Sequence, residues 1–306
     1  MNTRYEVYKL LRECNCSGDE IGITLSITRA SVNKHIMALR SIGVIIDAKS
    51  GSGYKYVRND SVNEYALAYE LEKIGVKCDS ICTVADSTSN IAKEYAVSSS
   101  GDRLFVSPYQ LGGRGRKDRV FNSEIGGMYM SLVLDKVELP LGEVMRMVIA
   151  TGIAVYNSMN EYGIKTELKW PNDVYVAGKK ICGILLELIS DGEYANKLII
   201  GVGINTNNKL PAELKSIATT LYKETGLHYD IAKLASVVVN NIYKELSQLK
   251  NNGWLDMKKR YEDVSYTIGK SIKYNQVSGM ATGITDQGFL IVDNHKIITA
   301  GDVEIC

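Results

Sequence analysis

The 306-residue sequence predicts an α/β (α+β) protein built as three modules. Three observations carry that prediction. Near the N-terminus, two short helical patterns, each opened by a capping hydroxyl, precede two strand-like runs around a glycine-rich tip. The centre mixes helical stretches with a strand hairpin. Beyond Tyr261–Tyr266 the pattern changes to short strands separated by Gly, Asn and Asp. The expected domains are 1–60, 61–262 and 263–306, with the first boundary at the polar run Arg58-Asn59-Asp60-Ser61.

In the first module Ser17 can cap a helix over Asp19–Leu25, with Ile21 and Leu25 at i, i+4 on one face. Ser26-Ile27 reads as a turn, and Thr28 can cap a second helix running to about Arg40. There Val32, Ile36 and Leu39 form the apolar stripe, while Ala30, Ser31, Asn33 and Lys34 point away and Arg29 flanks it. This is the layout of a helix-turn-helix, whose second helix reads base edges with its N-terminal residues. Val44-Ile45-Ile46, Ser50-Gly51-Ser52-Gly53 and Tyr54-Lys55-Tyr56-Val57 then read as a hairpin wing. Residues 1–60 hold nine Lys and Arg against six Asp and Glu, the sign needed for phosphate contact. Thr28, Arg29, Ala30, Ser31, Asn33, Lys34 and Ser52 are the candidate DNA contacts; a helix pair used for protein contacts is the plainer alternative.

The centre carries three chemical stretches. Gly112-Gly113-Arg114-Gly115-Arg116-Lys117-Asp118-Arg119 sets four cations against one anion on a pliable backbone. It suits a polyanion, since backbone N–H groups and guanidinium forks can wrap phosphate oxygens; it also reads as an exposed charged turn. Lys169-Trp170-Pro171-Asn172-Asp173 leads into a strand, a Gly178-Lys179 turn and a second strand, Lys180–Glu187. A lysine opening a buried strand is costly unless an anion neutralises it or its stem snorkels. Asp86-Ser87-Thr88-Ser89-Asn90 precedes a helix over Ile91–Val97, where a hydroxyl can cap the helix or hold a polar head group. The tail is expected to be a small β-barrel with strands at Ile268–Tyr274, Met280–Ile284, Phe289–Val292 and Lys296–Thr299.

Composition narrows the class. Hydrophobic residues make 45% of the chain and the net charge is +1, which excludes disorder and a wholly basic nucleic-acid coat. No apolar run is long enough to span a bilayer and no signal-peptide core opens the sequence, so a cytoplasmic protein is expected. Six cysteines without a C-x-x-C pair, and three histidines, speak for free thiols rather than a metal site; none is expected.

Together these stretches resemble the bifunctional biotin–protein ligase and biotin-operon repressor family, over nearly the whole chain. The resemblance rests on Ser17–Ile36, Gly51-Ser52-Gly53-Tyr54, Ser87-Thr88, Gln110 with Gly113-Arg114-Gly115-Arg116, Lys169–Asp173, Lys180 with Gly183-Ile184-Leu185, and Gly201-Val202-Gly203-Ile204-Asn205. It implies a winged helix-turn-helix, a central mixed sheet like that of class II aminoacyl-tRNA synthetases, and an SH3-like C-terminal barrel. It implies biotin, ATP and Mg²⁺ as ligands, with biotinyl-5′-adenylate formed first and biotin then passed to a lysine of a biotin carboxyl carrier protein domain. The adenylate-bound form would dimerise and repress through operator DNA. Lys180, Arg116 and Asp173 are the implied catalytic residues, Asp173 either holding Mg²⁺ or orienting the incoming lysine. Ser87, Thr88, Ser89, Gln110, Gly113, Arg114, Gly115, Arg119, Lys169, Trp170, Asn172, Gly183 and Asn205 join Arg116 and Lys180 in binding biotin or adenylate, and residues 112–119 are the implied lid. Apolar walls for the biotin ring are expected from Ile184–Leu186 and Val202–Ile204, and Trp170 is either wall or core. The chain departs from the family at Asp118, usually Gly, at Ser89, usually Asn, and at Ser123-Glu124, usually Ser-Pro. A non-catalytic biotin-sensing transcription factor and a lipoate-type ligase are the alternatives. The first has no need of an α-phosphate site; relatives of the second generally lack both the Arg-rich loop and the N-terminal module.

Overall fold

The computed structural model describes residues 2–49, 53–75, 79–251 and 253–306, with backbone alone at 79–81 and 118. Ser52 therefore lies outside the described residues, as does the side chain of Asp118.

The N-terminal unit contains α1 (Thr3–Glu13), α2 (Gly18–Leu25), α3 (Arg29–Ser41), β1 (Val44–Lys49) and β2 (Gly53–Asn59). Ser17 caps α2 in a reciprocal capping box with Glu20, and Thr28 accepts the N–H of Ser31 to cap α3. Val32, Ile36 and Leu39 are fully buried, while Thr28, Arg29, Ala30, Asn33 and Lys34 face solvent and Ser31 is half-buried. The strands β1 and β2 pair antiparallel as the wing. Helix α1 was not expected. Its buried Val7, Tyr8 and Leu11 close the unit from behind, with Tyr8 in contact with the rings of Tyr56, Tyr65 and Tyr69.

The expectation of six free thiols is corrected. Cys14 and Cys16 are joined by a disulfide, their Cα atoms 5.8 Å apart. The cause is local: after α1 the backbone at Cys14 is extended, and Cys16 is bridged to Tyr54, so the i and i+2 side chains fall on one side. Cys82, Cys182 and Cys306 are free. Burial pushes the Cys82 thiol up to about 12 and raises that of Cys182 as well. In a Cys78→Ser background a disulfide reagent at pH 8 is therefore expected to titrate one thiol rapidly, the exposed Cys306, and two more only on unfolding. Fast reaction at Cys14 and Cys16 would contradict their bond, and fast reaction at Cys82 or Cys182 would contradict the burial.

The central unit follows as α4 (Glu64–Lys73), β3 (Asp79–Cys82), α5 (Thr88–Ser98), β4 (Arg103–Ser107), β5 (Met128–Pro140), α6 (Val144–Glu161), β6 (Glu167–Lys169), β7 (Asp173–Val176), β8 (Lys179–Asp191), β9 (Tyr194–Ile204), α7 (Leu221–Thr225), α8 (Ile231–Lys250) and α9 (Trp254–Asp263). Its seven strands run β3-β4-β5-β9-β8-β7-β6, antiparallel except for β3 with β4. Side chains alternate across this sheet with period two. Leu132, Leu134, Leu198 and Ile200 join the main core, to which α6 and α8 also contribute, whereas Val133 and Ile199 pack with Ala92 and Ala96 of α5. The α5 face is the thinner side, and the site lies there. The C-terminal unit is a five-stranded antiparallel sheet, β10 (Ser271–Tyr274), β11 (Val277–Ile284), β12 (Leu290–Val292), β13 (Lys296–Ile298) and β14 (Glu304–Ile305), in the order β13-β12-β11-β10-β14. Among the described residues no helix is long and apolar enough to cross a membrane.

Candidate active site

The α5 face of the sheet is opened by glycine. Gly201 and Gly203 of β9 and Gly183 of β8 point toward α5, at registers where Gly203 pairs with both Tyr129 and Gly183. Missing side chains on adjacent strands leave a cavity of about 400 Å³, within the range of small-molecule sites. The space above Gly203 has no room for a side chain, because a Cβ there would come 2.8 Å from the Phe121 ring. The expectation of apolar walls from Ile184–Leu186 and Val202–Ile204 is corrected in part. Leu185 lines the cavity, but alternation turns Ile184, Val202 and Ile204 into the main core, although Ile184 and Val202 also border the cavity. Phe121, unexpected from the sequence, adds apolar surface beside them.

One end of the cavity is polar and neutral. The first N–H of α5, on Thr88, donates to Gln110 Oε1 at 2.7 Å, and Gln110 Nε2 donates to Ser123 Oγ at 2.8 Å. Ser131, unforeseen, stands 2.9 Å from the Thr88 hydroxyl and 3.2 Å from that of Ser89. Each hydroxyl retains capacity for a further hydrogen bond. Ser87 is the N-cap of α5 but makes no side-chain cap bond; its buried hydroxyl has no partner and stands behind the lining.

The other end is cationic. Arg114, Arg116, Arg119, Lys169 and Lys180 line it against Asp173 and Asp302. The Arg-rich loop folds back on itself: Gly115 N–H donates to Arg119 O at 2.7 Å, and Phe121 N–H to Gly113 O at 2.7 Å. Its side chains then spread over the site. Arg114 reaches Asn90 Oδ1 at 3.2 Å and Glu187 at 3.1 Å. Arg116 donates to Asn172 Oδ1 at 2.9 Å, and Asn172 Nδ2 donates to Ile184 O at 2.7 Å, which brackets the loop to β8. Lys180 Nζ stands 2.7 Å from Asp173 Oδ1, an ion contact across β7 and β8. Burial lowers the Lys169 ammonium, with nearby Asp173 opposing that shift.

Thr88, Ser89, Gln110, Gly115, Gly183 and Asn205 also line the cavity. Three expected residues do not. Gly113 is buried beneath the loop, where its carbonyl holds Phe121, and Ser87 sits behind the lining. Trp170 is 1% exposed in the core and donates its indole N–H to Gly288 O at 3.0 Å, which decides between wall and core in favour of core. Among the described residues no group of three or more His, Cys, Asp and Glu could hold a metal ion.

Three family models match: an HTH domain over residues 3–55, the biotin/lipoate A/B protein ligase family over 81–205, and the biotin protein ligase C terminal domain over 267–305. The bifunctional ligase/repressor BirA of Bacillus subtilis is 32% identical over 305 residues, covering 94% of this chain and 93% of that protein. The chain belongs to the bifunctional biotin ligase/repressor family. The BirA protein of Escherichia coli is 28% identical, over 92% of this chain and 89% of its own length. Among solved structures, a biotin protein ligase from Aquifex aeolicus in complex with biotin and ATP superposes with a TM-score of 0.67 at 30% identity, covering 74% of this chain and 98% of that one. In this ligase/repressor the cationic loop, the Lys169–Asp173 stretch and Lys180 thus meet on one face of one sheet.

Proposed function

We propose that the protein activates biotin with MgATP as biotinyl-5′-AMP and transfers the biotinyl group to a lysine of a biotin carboxyl carrier protein domain. With the adenylate bound, it dimerises and represses its operator. The observation that carries the reading is the joining, in one cavity, of a neutral hydroxyl-and-amide end with an end bearing five cations. A ureido head suits the first and a mixed anhydride of carboxylate and phosphate the second. The domains are 1–60, 61–262 and 263–306, and the protein works in the cytoplasm.

In the first step a biotin carboxylate oxygen attacks the α-phosphorus and the bond to the β-phosphate breaks, releasing pyrophosphate. Two anions meet, so charge must be offset where it grows. Lys180 and Arg116 do this at the α-phosphate, while Arg119 and the half-buried Lys169 take the departing phosphates. Arg114, held by Glu187 and Asn90, fixes the lid. In the second step the acceptor amine attacks the acyl carbon and AMP leaves. Asp173 holds the Lys180 ammonium and orients that amine. The Gly112–Arg119 lid keeps water from the anhydride. The test is incubation with α-labelled ATP, Mg²⁺ and biotin, with lipoate as control. A labelled adenylate that needs biotin is expected. Its absence, with biotin-dependent DNA binding intact, would leave a sensor and overturn the reading.

DNA contact is assigned to the exposed start of α3. Lys34→Ala is expected to weaken operator and non-specific DNA alike and to lower the salt slope of binding by about 1. Asn33→Ala is expected to cost about 1–3 kcal/mol on operator alone. Fluorescence anisotropy over a salt series reads both, and unchanged slopes would remove Lys34 from the interface.

A further inference from the structure

We propose that Asp302, in the C-terminal unit, is the latch that holds the Gly112–Arg119 lid shut; this rests on the adenylate-forming reading above. The lid meets the C-terminal unit around Asp302. Asp302 pairs with Arg116 at 3.4 Å through one oxygen and with Arg119 through the other, and Arg116 also donates to Gly301 O at 3.4 Å. Lys117, the lid residue with a left-handed backbone (φ 54°), places its ammonium 5.9 Å from the centre of the Tyr274 ring. Two arginines from the tip of one loop thus converge on a single carboxylate 183 residues beyond Arg119.

The carboxylate is itself held. Gly301 has φ +129°, and a Cβ there would lie 2.2 Å from the Tyr274 ring, so only glycine lets the turn pack on that ring. Tyr274 ends β10, and β14 pairs with β10 just beyond the turn through Ile272 with Ile305. The Gly301-Asp302 turn is therefore fixed by the sheet, whereas the lid tip, folded back on its own turn, is held to the rest of the protein by side-chain contacts to Asn172, Asp302 and Tyr274. Asp302 is acidic in a cationic site, where a catalytic role toward phosphates would be repulsive. Its contacts with lid arginines give it a positioning role: it closes the lid through Arg116 and Arg119 and leaves the phosphates to the cations.

An ion pair of this exposure is worth little to folding but governs how often the lid opens. Asp302→Asn is expected to raise escape of labelled adenylate, chased with unlabelled biotin and ATP, by about five- to tenfold. Single-turnover adenylate formation should stay within about threefold. Added salt should speed escape from the wild type but hardly from Asp302→Asn, and Asp302→Glu should restore most of the retention. In ligand-free protein, tryptic cleavage after Arg116 and Lys117 should accelerate in Asp302→Asn. Arg119→Gln, altered from the lid side, should give the same increases without adding to those of Asp302→Asn. Unchanged or slower escape, or faster escape that keeps its full salt dependence, would overturn the latch. If the wild type makes no adenylate, the proposed reaction fails, and unchanged tryptic cleavage would separately sink the latch.

Discussion

Lys180→Ala is expected to lower biotin-dependent adenylate formation by about 10²–10³-fold, the cost of removing one preorganised charge from a transition state. Lys180 is held by its backbone on both sides: its N–H donates to Ile217 O at 3.0 Å and its carbonyl accepts from Thr219 N–H at 3.0 Å. The ammonium is therefore aimed by the fold and not only by its partner. Truncation does two things. On the proposed mechanism it deletes a cation where the α-phosphate gains charge, and it uncovers Asp173, whose Oδ1 lay 2.7 Å from the ammonium and would repel the incoming phosphates. With biotin placed, as proposed, at the Thr88–Gln110 end, its affinity should stay within about threefold. Stability should change by no more than about 1 kcal/mol, since the pair is partly exposed. Lys180→Arg should recover only a fraction, because a planar fork does not replace a compact point charge. Labelled-adenylate assays and biotin titration read both quantities. Adenylate formation within tenfold of wild type would remove Lys180 from the chemistry.

What the sequence disclosed follows how local each signal is. Ser17 with Glu20, and Thr28 with Ser31, cap their helices within three residues, so the helix-turn-helix is written in short range. The sense in which Lys180 opens an apolar strand is equally local. Helix α1 escaped because its stripe is only Val7, Tyr8 and Leu11, and its burial comes from rings on β2 and α4 that no spacing links to it. Glu187 and Asp302 were invisible for the same reason: they complete Arg114, Arg116 and Arg119 from strands and turns far along the chain. Phe121 could have been suspected. A ring two residues beyond the lid, and glycines at 183, 201 and 203 with nothing to fill the sheet face, are complementary once period-two alternation is applied. Of the walls expected from Ile184–Leu186 and Val202–Ile204, Leu186 and Ile204 fall away from the cavity because a strand shows each face only every second residue.

Trp170→Ala is expected to destabilise the protein by about 3–5 kcal/mol, with a fall of about 10 °C in Tm. The ring is among the largest fully buried side chains, and its removal leaves a cavity at the end of β6. The position also joins two units. Trp170 N–H donates to Thr267 Oγ1 at 3.0 Å and the indole to Gly288 O at 3.0 Å. Just before it, Leu168 N–H donates to Val264 O at 2.9 Å and Leu168 O accepts from Tyr266 N–H at 2.8 Å. Truncation therefore orphans a carbonyl as well as emptying space, while the backbone bonds that remain keep the C-terminal unit attached. Trp170→Phe separates the parts: most of the volume stays and only the Gly288 bond goes, for about 1–2 kcal/mol. Urea midpoints for the two variants measure this directly, with Trp254, the other tryptophan, as reporter. At 15 °C, where both variants remain folded, biotin KM should lie within about threefold of wild type, since the ring does not reach the cavity. A KM raised tenfold in Trp170→Phe without a matching loss of stability would make Trp170 a wall of the biotin site after all, and the core assignment would fall.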